Sequence, residues 1–128
     1  MADRRGPRAV AGVLLAVVAL LALPLLSACS GSGTTIDPSG ATIIDVRTPS
    51  EYAAGHLQGA INIDVTSSDF ATRVGALSKE GTYILYCQSG ARASQAASAM
   101  TAAGFTHVTN AGGIDAASTA TGLPIVTS

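Results

Sequence analysis

Thr82-Tyr83-Ile84-Leu85-Tyr86-Cys87-Gln88-Ser89-Gly90-Ala91-Arg92 is the stretch on which the fold turns. Its first five residues are β-branched, aliphatic or aromatic and suit a buried strand. Polar residues and a glycine follow. The run from Ala91 to Ala103 is rich in alanine, predicts a helix, and ends at Gly104 as a C′ residue. Upstream, Ala41-Thr42-Ile43-Ile44-Asp45-Val46 is a second strand of the same kind. Thr48-Pro49-Ser50-Glu51 then carries a capping box with proline at the first helical position, and Gly55 closes that helix. Ala60-Ile61-Asn62-Ile63 reads as another strand. Phe70, Val74 and Leu77 share one face of a short helix, and Thr106-His107-Val108-Thr109 is a last short strand. Strands alternating with helices predict an α/β fold, a small parallel sheet with helices on both faces. No internal repeat is evident.

The 128 residues suffice for one domain and are too few for two of ordinary size. Hydrophobic residues make up 48% and charged residues 12%, but the apolar residues are concentrated at the start. Beyond residue 28 the chain holds four basic residues (Arg47, Arg73, Lys79, Arg92) against seven acidic ones, a net charge of −3. That balance excludes a basic nucleic-acid surface. Two cysteines in separate segments exclude a disulfide scaffold.

Arg4, Arg5 and Arg8 precede an apolar run from Ala9 to Leu26, broken only by Gly12 and Pro24. The run ends in Leu26-Ser27-Ala28-Cys29, and this resembles a bacterial lipoprotein signal. The resemblance implies a signal peptide over 1–28 and a lipidated Cys29 that begins the mature chain on the membrane. An uncleaved transmembrane anchor is the alternative, since the 18 apolar residues just reach spanning length. Either way the positive flank comes first, so the domain is expected on the extracytoplasmic face. Residues 29–35 are small and polar, a flexible linker, and the folded domain is expected over 36–128.

Cys87 falls where the best strand ends and a loop enters a helix. In open α/β sheets the ligand crevice lies at the carboxyl ends of strands, and a helix N-terminus there forms an anion cradle. A thiol in such a cradle has a lowered pKa and raised nucleophilicity. Gly90 lets the loop adopt conformations strained for other residues. Arg92 adds a positive charge, for an anionic substrate or for holding the loop. A buried, inert cysteine is the alternative.

Ile44-Asp45-Val46-Arg47-Thr48-Pro49-Ser50-Glu51-Tyr52, with Gly55-His56-Leu57-Gln58-Gly59-Ala60 after it, resembles the opening of the rhodanese domain. Tyr86-Cys87-Gln88-Ser89-Gly90-Ala91-Arg92-Ala93-Ser94 is similar to that family's active-site loop, and Gly104-Phe105, Val108 and Gly112-Gly113-Ile114 to its closing segment. The likeness runs from about residue 36 to Pro124. It implies a sulfurtransferase of the thiosulfate type. Cys87 would take the outer sulfur of a small sulfur anion as a persulfide and pass it to cyanide or a thiol. The loop Gln88, Ser89, Gly90, Ala91 and Arg92 would hold the persulfide's charge with backbone N–H groups. No cofactor is needed.

Asp45, Arg47 and Glu51 read as a polar network at the strand end, with Arg47 and Glu51 close enough in sequence to pair. His56 is expected as a turn residue bonded to backbone, and His107 as a solvated surface residue. Two scattered histidines leave no metal site to propose. A monomer is expected, with partners limited to the sulfur donor, its acceptor and the membrane held through Cys29.

Related phosphatases and arsenate reductases carry cysteine, five residues, then arginine. Here Arg92 comes one position early and Ala93 stands where that arginine would be, so the cradle is smaller and suits sulfur better than phosphate. The family usually places a tryptophan about where Ala117 stands. Losing a ring of that size removes on the order of 150–250 Å² of buried surface, so a loosely docked last helix is expected. The rival reading is a non-enzymatic sulfur carrier or partner-binding module tethered to the cell envelope.

Overall fold

The structure, a computed structural model, describes residues 33–127. The expected signal peptide, the expected lipidation site Cys29 and the expected linker as far as Ser32 lie outside the described residues.

Strand β1 (Ala41–Asp45) leads to helix α1 (Pro49–Ala54), the short strands β2 (His56–Leu57) and β3 (Ile61–Asn62), and helix α2 (Phe70–Gly75). Strand β4 (Thr82–Cys87), helix α3 (Ala91–Ala102), strand β5 (His107–Gly113), helix α4 (Ile114–Thr121) and strand β6 (Ile125–Val126) complete the fold. Four strands form one parallel sheet in the order β3-β1-β4-β5.

Strand alternation divides the core into two layers. Tyr83, Leu85 and Cys87 of β4, with Ile44 of β1 and Val46 just beyond it, face Phe70 and Val74 of α2 and Ala93, Ala96 and Met100 of α3. Ile84 and Tyr86, with Ile43, face Leu57 and Ala60, together with Ile114 and Ala117 of α4. Cys87 is thus the last residue of the α3-facing row, aimed at the start of α3.

The capping box is present. The Glu51 N–H donates to Thr48 Oγ1 at 3.4 Å and the Thr48 N–H to Glu51 Oε2 at 3.0 Å. α3 ends as its sequence implies, with Gly104 at φ 98°. Ile36 starts the packed domain, its N–H donating to the Ala120 carbonyl at 2.8 Å.

Three features differ from the sequence expectation. The strand expected to stop at Thr109 continues to Gly113, because pairing along β4 overrides the weak β-propensity of Asn110-Ala111-Gly112-Gly113. β2 and β6 pair antiparallel, matching His56 with Val126 and Leu57 with Ile125. The last helix is not loosely held. Ala117 is fully buried, and Ser118 Oγ donates to the Leu123 carbonyl at 2.7 Å. A small residue here lets α4 approach the sheet closely, where a ring would hold it off.

Candidate active site

The chain leaves β4 at Cys87 and enters α3 at Ala91, so three residues turn it back. Gly90 caps the helix at φ 98°, a left-handed conformation that a side chain would strain. In that conformation its N–H points at the cysteine, 2.8 Å from Sγ. Burial pushes the Cys87 thiol up, but the N–H groups of Ala93, Ser89, Gly90 and Arg92 outweigh it and hold the thiol below its ordinary value. These are the orphan donors of a helix's first turn and the loop before it, and a negatively charged sulfur satisfies them. Cys87 itself is 0% exposed, so the sulfur lies at the floor of the cradle.

The polar groups about the loop are paired off. Arg47 grips Asp45 through Nε, at 3.0 and 3.1 Å from the two carboxylate oxygens, and through Nη2 at 2.7 Å. The same guanidinium donates to the Gly55 carbonyl and, through Nη1, to Gln88 Oε1 at 3.2 Å. Arg47 and Asp45 are both buried, so this charge is compensated inside the fold. The expected Arg47–Glu51 pair does not form. Glu51 instead receives Arg92 in two parallel bonds, Nη1 to Oε2 at 2.8 Å and Nη2 to Oε1 at 2.9 Å. Arg92's hydrogen bonds are the main cause that brings the Glu51 carboxyl down to about 2. Arg92 therefore ties the loop to α1. Its guanidinium is engaged by a carboxylate.

His56 stacks on Tyr52, with centroids 3.8 Å apart, and its Nδ1 lies 2.9 Å from the Tyr52 carbonyl. His107 is exposed at the start of β5. Ser89 and Ala91 are exposed on the loop and first helical turn. Among the described residues no three metal-ligating side chains come together.

Sequence reasoning passes over the wall opposite the loop. Pairing of Leu85 with Asn110 and of Cys87 with Gly113 leaves one extra residue on β5, a bulge. Gly113 then lies so near the loop that a Cβ there would come within 2.5 Å of the Gln88 carbonyl oxygen. A Cβ on Gly90 would meet Gly112 Cα at 3.2 Å. Asn110 spans the gap, donating from Nδ2 to the Gly90 carbonyl at 3.2 Å. The double glycine was the available signal, since paired glycines inside a strand mark a close backbone approach.

Residues 33–120 match the family model described as rhodanese-like domain. Over 71 residues the chain is 39% identical to the thiosulfate sulfurtransferase PspE of Escherichia coli, covering 56% of this chain and 68% of that one. Over 90 residues it is 32% identical to a sulfurtransferase of Allochromatium vinosum, covering 70% and 82% respectively. Among solved structures, one described as rhodanese with anions from E. coli superposes with a TM-score of 0.57 at 37% identity. That match covers 69% of this chain and 99% of that one.

Proposed function

The chain belongs to the rhodanese-like domain family, and from that membership we propose that it moves a sulfane sulfur through a persulfide on Cys87. The observation that carries the reading is the Gly90 N–H held 2.8 Å from Cys87 Sγ at the entry to α3, where the N–H groups of Ser89, Arg92 and Ala93 also favour a negatively charged sulfur. In the first half-reaction the Cys87 thiolate attacks the outer sulfur of thiosulfate. A new S–S bond forms to Cys87, the old S–S bond breaks, and sulfite leaves with its electron pair. Charge stays constant, because the thiolate becomes a persulfide anion held by the same donors. In the second, cyanide or a thiolate attacks the outer sulfur and returns Cys87 as thiolate. Both acceptors arrive deprotonated, so neither step needs a general base, which agrees with a site built without a histidine partner.

The cradle's size favours this over phosphoryl chemistry. Four residues separate Cys87 from Arg92, and Arg92 is spent on Glu51. Thiocyanate formation from thiosulfate and cyanide tests the reading. Turnover by the native chain and none by Cys87→Ser supports it, and equal rates from both sink it. The sequence further supports an extracytoplasmic domain anchored by lipid on Cys29. A Cys29→Ala chain that stays membrane-bound, without any lipid mass on the native one, would remove that part.

A further inference from the structure

Asn110 sits on β5 with its side chain exposed, in a position that no packing demand explains. Its carboxamide nevertheless makes two specific contacts. Oδ1 accepts from the Gly112 N–H at 2.8 Å, closing the bulge, and Nδ2 donates to the Gly90 carbonyl. Gly90 is the residue whose own N–H meets Cys87 Sγ, and its carbonyl also takes the first helical bond, from the Ser94 N–H at 2.9 Å. One peptide carbonyl thus accepts two donors, one from α3 and one from β5.

We propose that Asn110 is a positioning residue for sulfur chemistry, a side-chain bolt that holds Gly90 in place by its carbonyl so that the N–H on the other side of its Cα stays on the Cys87 sulfur. This rests on Cys87 being the sulfur-bearing nucleophile. The physical case is geometric. Gly90 is glycine in a left-handed conformation, the residue type with the widest choice of alternative backbone states. A loop three residues long loses its donor if Gly90 shifts away from the sulfur. The steric wall of Gly112 and Gly113 stops the loop from moving toward β5, but it does not stop the loop from moving away. A hydrogen bond to the Gly90 carbonyl does stop it, and Asn110 supplies one from a strand anchored in the sheet. Of the charged groups about the loop, Asp45 pairs with Arg47 from the end of β1, Glu51 of α1 pairs with Arg92 of α3, and Asp64, which also acts on Arg92, accepts from Thr66, so none of them takes over this task.

The test uses Asn110→Ala and Asn110→Ser in the full chain, kept in detergent. Alanine removes both contacts. Serine keeps an oxygen able to accept from the Gly112 N–H but is too short to reach Gly90. Alkylation of Cys87 by iodoacetamide, followed against pH on the Cys87 peptide by mass spectrometry, reads thiolate formation directly. Both variants should shift the midpoint upward, by about one pH unit, with rates rejoining the native ones at high pH. The serine variant should do so with its melting temperature unchanged, which a role confined to bracing the bulge would not produce. A serine variant whose profile superimposes on the native one overturns the proposal, as does an unshifted alanine variant. Loading of the native chain from thiosulfate is scored separately. Its absence would remove the sulfur-transfer reading and leave the alkylation result standing.

Discussion

At Cys87 burial and backbone polarity oppose each other, and the four N–H groups win. The acid limb of the site is set elsewhere, at Glu51. Its folded pKa of about 2 lies below the ordinary 4.5, so the Arg92 contact contributes stability above pH 4.5. That contribution is lost as pH falls through about 2. The pair is partly exposed and worth on the order of 1 kcal/mol or less. Glu51→Gln should therefore lower the urea midpoint modestly at pH 7, and the difference from the native chain should close between pH 4.5 and 2. A gap that persisted at the acid end would show that Glu51 acts through packing instead. Cys87, Gly90 and Arg92 were legible as one site because they are contiguous and follow the most apolar strand. The partner of Arg92 was not, since Glu51 lies 41 positions away. Sequence proximity favoured Arg47 for Glu51, whereas folding turns Arg47 toward Asp45. Asn110 left no signal of its own, because an asparagine before Ala-Gly-Gly reads as a turn former.

Among the elements, the loop and β5 act as a matched pair. Gly113 has φ −77°, a value any residue adopts, so its glycine is required by the neighbouring Gln88 carbonyl rather than by the backbone. Gly113→Ala must displace backbone. It should cost about 1–3 kcal/mol and slow sulfur transfer on the order of tenfold to a hundredfold through misplacement of the loop. Parallel melting curves and thiocyanate assays check both halves. A variant with unchanged kinetics would mean the loop tolerates the shift. Most elements were readable in advance for a local reason, such as the capping box of α1 or the β-branched runs of β1 and β4. The β2–β6 pair was not, because two-residue strands carry no periodicity and meet only after the chain has closed on itself. The extension of β5 is similarly a tertiary effect, imposed by the ladder to β4.

Over the described residues the domain is built on a four-stranded sheet between two apolar layers, with Cys87 at the carboxyl end of β4, one of the two central strands. The layer under α4 depends on small residues. Ala117 is 0% exposed, so no open space is left at the position where the family resemblance leads one to expect a large ring. Ala117→Trp should accordingly destabilise the domain by about 1–3 kcal/mol through overpacking, a fall of several degrees in Tm. A rise in Tm would instead reveal room for the ring.

The central claim is that one sulfur atom comes to rest on Cys87. The direct measurement is the intact mass of the chain after incubation with thiosulfate, for the native protein and for Cys87→Ser. A gain of one sulfur on the native chain alone, released by cyanide as thiocyanate, is the predicted result. An unchanged native mass after thiosulfate and after a persulfide donor, or an equal gain on both chains, would contradict it.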